Sequence, residues 1–125
     1  DKIRFIGSKT TDEIPDFLIN ATAIMMTPST NYKSGGFPTK LGEFLASATP
    51  VICTKVSDIP VYLNESNSFL NDPGDINSIF KCMEYIVSHP KESLVIGKNG
   101  KNLAFEVFNV KTYIKSLKTF LGFLN

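Results

Sequence analysis

One stretch of this chain gathers residue types that can handle an anionic ligand: Ser34-Gly35-Gly36-Phe37-Pro38-Thr39-Lys40-Leu41-Gly42-Glu43. A glycine-rich loop runs there into the start of a helix. Glycine lets the backbone approach a ligand closely. The first turn of a helix carries N–H groups without intrahelical partners, and together with the helix dipole they favour phosphate. Thr39 is placed as N-cap, with a hydroxyl that can cap the helix or touch a phosphate. Lys40 adds a cation at the same end. Glu43 falls about one turn in, and helical side chains tilt toward the N-terminus, so its carboxylate reaches back toward a ligand held there. A carboxylate beside phosphate needs another task. Accepting hydrogen bonds from a ribose diol is one, as the acidic residue of dinucleotide folds does. The spacing is neither G-x-G-x-x-G nor the P-loop pattern. A threonine cap followed by a nearby glutamate also opens ordinary helices, so these residues alone leave both an anion site and a plain helix start open.

The elements that must position this segment alternate along the chain. Ile3 to Ile6 reads as a short strand stopped by Gly7-Ser8. Asp12 and Glu13 open a helix to about Asn20, with Ile14, Phe17 and Leu18 at helical spacing and Pro15 tolerable in the first turn. Ala23-Ile24-Met25-Met26 is a continuous apolar run, the pattern of a strand buried on both faces. A Ser-, Gly- and Asn-rich loop follows to Pro38. The helix from about Thr39 to Ser47 repeats Leu41, Phe44, Leu45 and Ala48 at i, i+3, i+4 and i+7. Val51 to Thr54 is the next strand. A short helical turn is expected over Asp58 to Leu63, a weaker strand over Asn67 to Asn71, and a turn at Asp72-Pro73-Gly74. Asp75 then caps a long helix to about His89, broken by Pro90. A helix over Glu92 to Glu106 is weakened by Gly97 and Gly100. The last one follows Asn109, with the stripe Val110, Tyr113, Ile114, Leu117, Phe120, Leu121 and Leu124. This order predicts an α/β fold with a Rossmann-like parallel sheet flanked by helices, in one domain over residues 1–125. The final helix is expected to dock on a surface outside this chain.

Composition narrows the classes. Thirteen Lys and Arg against 12 Asp and Glu leave a net charge of +1, without the basic excess of a nucleic-acid binder. At 42% hydrophobic and 20% charged residues, the chain is an ordinary globular one rather than disordered. No apolar run approaches the roughly 18 residues of a membrane span. Cys53 and Cys82 are read as buried thiols in a reducing compartment. No Cys or His spacing suggests a metal site. His89 is expected to cap carbonyls, Asp58 and Glu65 to be solvated, and Met25 and Met26 to belong to the core. Lys98, Lys101, Lys111, Lys115 and Lys118 mark a solvated face, with a membrane-surface contact of the parent protein as the alternative. The chain opens on the strand-like stretch with no leader and no initiating Met, which reads as a boundary inside a longer protein.

The run from Gly36 to Ile52 resembles the donor-site signature of the family 4 glycosyltransferases (glycosyl transferases group 1, GT-B fold): Gly-aromatic-Pro, a helix with an acidic residue and a Leu-Ala pair, then a Pro-Val strand. Phe5-Ile6-Gly7, Ala21 to Ser29, Ser57-Asp58-Ile59-Pro60 and Asn71-Asp72-Pro73-Gly74-Asp75 are similar to that family's flanking elements, in order along nearly the whole chain. The resemblance implies the C-terminal, nucleotide-sugar-binding half of a two-domain enzyme whose acceptor domain lies upstream. It implies that Glu43 holds the ribose hydroxyls of a UDP- or GDP-sugar. Backbone at Thr39, Lys40 and Leu41 would meet the diphosphate or ribose; Gly36, Phe37 and Pro38 would face the sugar; backbone at Gly7 and Ser8 would meet the base. It further implies hexosyl transfer with retained anomeric configuration, no bound metal or cofactor, and polysaccharide or glycan synthesis in a bacterial cytoplasm, at the inner face of the membrane in some cases. The isolated domain should be inactive. Two departures stand out. Gly35 occupies the place, eight residues before Glu43, where the family often has a second Glu, which keeps a non-catalytic nucleotide-sugar or partner-binding module in play. Ala48 stands where glycine is usual, so the helix before it should end differently.

Overall fold

Val51-Ile52-Cys53-Thr54, a short apolar run closed by a threonine, forms the middle strand of the sheet. The computed structural model describes residues 2–29 and 38–123. In it, nine elements follow one another: α1 (Ile14–Asn20), β1 (Ile24–Met26), α2 (Thr39–Ala46), β2 (Val51–Thr54), α3 (Ile59–Tyr62), β3 (Phe69–Asn71), α4 (Ile76–Ser88), α5 (Pro90–Val107) and α6 (Val110–Phe120). The three strands form a parallel sheet in the order β1-β2-β3. Ile24 pairs with Val51 on one side of β2, and Ile52 with Phe69 on the other. Every residue of β2 is buried, as a central parallel strand covered on both faces requires. The expected α/β fold with helices around a parallel sheet is what forms.

The core gathers Leu41 and Leu45 of α2, Ile59 of α3 and Ala104 of α5 around Val51 and Cys53. Polar side chains stitch its edges. The Thr49 hydroxyl donates to Leu18 O at 2.7 Å, holding the end of α1 to the turn after α2. The Thr54 hydroxyl donates to Pro28 O at 2.9 Å, tying the end of β2 to the segment after β1. Buried Asn71 accepts from the Ser78 hydroxyl at 2.6 Å and the Cys82 thiol at 3.4 Å, joining β3 to α4. Asp75 caps α4 as expected, accepting from the Ser78 N–H at 2.9 Å.

Several expectations need correction. Residues 3–6 form no strand, and Phe5 is 95% exposed. A strand needs a neighbour for its N–H and C=O groups, and no described strand lies beside this one. The segment Ala23–Met26 is a strand only from Ile24, and Met25 is nearly half exposed, because β1 is an edge of the described sheet. The first helix begins at Ile14; Asp12 and Glu13 lie in the turn ahead of it. Thr39 is the first helical residue of α2 rather than its cap. Pro38 takes the N-cap position in an extended conformation, its φ fixed by the ring, and among the described residues no side chain caps the helix. Cys82 is half-buried rather than buried. Pro90 separates α4 from α5 but also starts α5, where its missing N–H costs nothing.

Gly97 and Gly100 do not mark a weak helix. They are the surface by which α5 presses on α2 and the loop before β3. A Cβ on Gly97 would collide with the Ala48 carbonyl, and one on Gly100 would lie 2.8 Å from Asn67 O and 2.9 Å from a Leu45 methyl. Ser93, Gly97, Gly100 and Ala104 form a buried stripe of small residues along α5, and the close approach outweighs the propensity cost of glycine. α6 has the expected amphipathic pattern with Asn109 as cap, accepting from the Lys111 N–H at 3.0 Å. None of its residues is buried: Val110 is 70% and Phe120 86% exposed.

Candidate functional site

The outward face of α2 carries the site. Leu41 and Leu45 point into the core, which turns Glu43, two positions from each, to the surface. Glu43 and Ala46 form a ridge between two cavities.

The first cavity, of about 490 Å³, lies between α2, α1 and the loop before α1. Its polar rim is Lys9, Thr11, Glu43 and Ser47, and its apolar wall is Ile14, Pro15, Leu18 and Ile19. The second, of about 680 Å³, lies on the other flank, where Thr39, Gly42 and Glu43 of α2 face Ala104 and Phe105 of α5, Phe108, Asn109 and Lys111. Both volumes suit a small organic ligand, and both combine apolar walls with a few polar groups. Each also places one lysine with Glu43, so both can meet a ligand with an anionic end and a hydroxylated one.

At the start of α2 one amide is committed within the first turn. The Leu41 N–H donates to Pro38 O at 2.9 Å, so among the three amides expected to meet phosphate those of Thr39 and Lys40 precede the first turn's closing bond. Lys40 is exposed beside them. Leu41 itself is a core residue and reaches the site through its backbone alone.

The loop ahead of α1 makes the opposite wall. Gly7 takes a positive φ of 68°, open to glycine without strain. Glu13 folds back over the loop, accepting from the Thr10 N–H at 2.9 Å, the Thr10 hydroxyl at 3.0 Å and Lys9 Nζ at 3.3 Å. These three partners, the Thr10 N–H foremost, hold the Glu13 carboxyl below the ordinary carboxylate range.

The sequence-predicted residues are thus distributed rather than gathered at one point. Glu43 borders both cavities, Thr39 only the second. Gly7 and Ser8 are exposed beside the first cavity's loop, whose rim is formed by Lys9 and Thr11 a few positions on. Pro38 is half-buried at the N-cap. Gly36 and Phe37 lie outside the described residues. Sequence reasoning missed Phe105, Phe108 and Lys111, which reach Glu43 only because α5 crosses α2; no local pattern announces that contact. Among the described residues no group of three or more His, Cys, Asp or Glu side chains could hold a metal ion, and no helix is long and apolar enough to cross a membrane.

Comparison with known proteins places the chain by family and fold. The family model described as glycosyl transferases group 1 matches residues 1–103. Among solved structures, sucrose-phosphate synthase from Thermosynechococcus elongatus is similar at 20% identity and a TM-score of 0.84, over 97% of this chain and 30% of that one. HepE from Anabaena, solved in complex with UDP-glucose, matches at 18% identity and a TM-score of 0.83, over 99% of this chain and 33% of its own. The C-terminal domain of the group 1 family glycosyl transferase LpcC from Francisella tularensis matches at 25% identity and a TM-score of 0.69, over 86% of this chain and 53% of that one. The chain therefore spans about a third of the length of the first two. A search of the curated proteins returned no match.

Proposed function

Since this chain belongs to the glycosyl transferases group 1 family, we propose that it is the C-terminal, donor-binding half of a family 4 glycosyltransferase of GT-B architecture. In this reading it holds a nucleoside diphosphate sugar while an upstream domain presents the acceptor. The observation that carries it is the placement of Glu43: a surface carboxylate one turn into α2, bordering a cavity whose far wall is the Lys9–Thr11 loop. HepE, of the same fold, was solved with UDP-glucose, which supports a nucleotide sugar as the ligand class.

The residues divide the ligand by chemistry. The Glu43 carboxylate accepts hydrogen bonds from the ribose diol. The amides of Thr39 and Lys40, with the α2 dipole and the Lys40 ammonium, face the diphosphate. The loop from Gly7 to Thr11 meets the base. Gly36, Phe37 and Pro38 face the sugar. In transfer, the bond from the anomeric carbon to the diphosphate oxygen breaks, an acceptor hydroxyl oxygen bonds to that carbon with retained configuration, and the hydroxyl proton passes to the departing diphosphate. Fixed donors and cations stabilise the departing diphosphate, so no metal is required. We place the parent enzyme in hexosyl transfer for bacterial polysaccharide or glycan synthesis, in the cytoplasm or against the inner face of the membrane.

Transfer needs donor and acceptor clamped between two domains. This chain alone is therefore expected to bind nucleotide weakly and to transfer nothing, and measurable donor turnover by it in the presence of acceptor would contradict the proposal. Gly35, in place of the family's frequent second Glu, favours one other reading: a binding module without catalysis. Assay of the full-length parent against a panel of nucleotide sugars separates the two, since only the enzyme releases nucleoside diphosphate in step with acceptor.

A further inference from the structure

We infer that Glu13 is a positioning residue for the nucleotide side of this site, fixing the shape of the Lys9–Thr11 wall that faces Glu43; the inference rests on the donor-site reading above. Glu13 does not border the cavity. Its carboxylate is taken up by Lys9 and Thr10 of its own loop. Thr10 sits at the centre of that loop and is gripped from both directions: its N–H and hydroxyl donate to Glu13 Oε2 at 2.9 and 3.0 Å, while its carbonyl accepts from the Glu13 N–H at 3.1 Å. The residues on either side of Thr10, Lys9 and Thr11, are the ones that line the cavity.

Lys9 is fixed by the same group. Its ammonium lies 3.3 Å from Glu13 Oε1 and 5.3 Å from the centre of the Phe17 ring. A lysine so held keeps its stem along the cavity rim instead of sweeping through solvent. Each bond is exposed and individually weak. Their joint effect is on preorganisation. The segment from Gly7 to Thr11 belongs to no helix or strand, so without the carboxylate its ordering falls on the binding step. The same bonds hold the Glu13 carboxyl below the ordinary carboxylate range.

The test compares UDP and GDP binding by the unaltered chain, Glu13→Ala and Glu13→Gln, followed by backbone amide shifts. Glu13→Ala is expected to weaken the preferred nucleotide about five- to tenfold, with faster hydrogen exchange at the Thr10 amide before any nucleotide is added and the melting temperature nearly unchanged. Glu13→Gln keeps an oxygen for the Thr10 N–H and should recover most of the affinity and the slow exchange. Equal nucleotide affinity in Glu13→Ala and the unaltered chain overturns the inference. So does a loss in Glu13→Ala that Gln does not restore and that tracks a fall in melting temperature, since that describes a fold defect. If the unaltered chain binds neither nucleotide, the donor-site reading itself fails and takes this inference with it, an outcome the control distinguishes from the other two.

Discussion

Glu43 and Cys53 show how placement alone gives two reactive side chains opposite fates. Glu43 is held on the surface by a helix whose other face is core, so it meets any ligand that enters either cavity. Cys53 is fully buried in the central strand, and burial pushes its pKa up to about 12, with the Ser68 hydrogen bond opposing. At pH 8 its thiolate is about a thousandfold scarcer than that of an ordinary cysteine. A thiol reagent should therefore label Cys82 in the native protein and reach Cys53 only after unfolding, which mass spectrometry of the labelled peptides would read. The sign of the pH effect follows. The unfolded thiol ionises near 9.0 and the folded one near 12, so stabilisation by the neutral buried thiol is complete below pH 9 and is lost as pH rises from there toward 12. Rapid native labelling of Cys53 would contradict both statements.

At the scale of elements, the turn from α2 into β2 is strained in one identifiable place. Ala48 adopts a φ of 65°, where its N–H donates to Leu45 O at 3.0 Å to close the helix end. An L-residue there costs roughly 1–2 kcal/mol. Ala48→Gly removes the steric cost, partly offset by the greater entropy that glycine gives the unfolded chain, so it should raise stability by about 1 kcal/mol in a denaturant titration; a destabilising result would mean that the Ala48 methyl packs usefully. The helix was expected to end differently for want of a glycine; instead Ala48 itself takes the left-handed conformation that glycine ordinarily supplies. Legible in the sequence were the Asp75 cap, the buried run Val51–Thr54 and the helices from Ile76 onward, all set by side-chain periodicity and local hydrogen bonding. What was not legible depended on neighbours. Residues 3–6 have strand composition but no adjacent strand among the described residues to pair with. Met25 has core composition but sits on an edge strand. Gly97 and Gly100 look like helix breakers until the Ala48 and Asn67 carbonyls are seen against them. The second cavity needed α5 to cross α2 before Phe108 and Lys111 could be counted beside Glu43. Of the candidate site, the helix start and its glutamate were visible as a local motif; the walls around it were not.

At the scale of the whole molecule, the core ends just past α5. Among the described residues the last buried hydrophobic one is Ala104, close to where the family match ends at residue 103, and Phe108 is the last that packs against the core. Beyond it α6 presents Tyr113, Ile114, Leu117 and Leu121 on one side, each 39–54% exposed, with Lys111, Lys115 and Lys118 beside them. Such a face contributes little to the stability of this chain. Leu117→Gln should change its unfolding free energy by no more than about 0.5 kcal/mol, whereas Leu45→Ala, in the core, should cost about 2–5 kcal/mol. A large loss from Leu117→Gln would mean that α6 is buried in solution.

The central claim is that the ridge at Glu43 and the loop at residues 7–11 form one nucleotide site. The most direct measurement is a titration of this chain with UDP and with GDP, followed by backbone amide shifts and repeated on Glu43→Ala. Shifts are expected to concentrate at Thr39 to Glu43 and at Gly7 to Thr11, with a preference for one base, and affinity should fall about tenfold or more when the carboxylate proposed to hold the ribose is removed. Shifts elsewhere on the chain, or full affinity in Glu43→Ala, would contradict the claim.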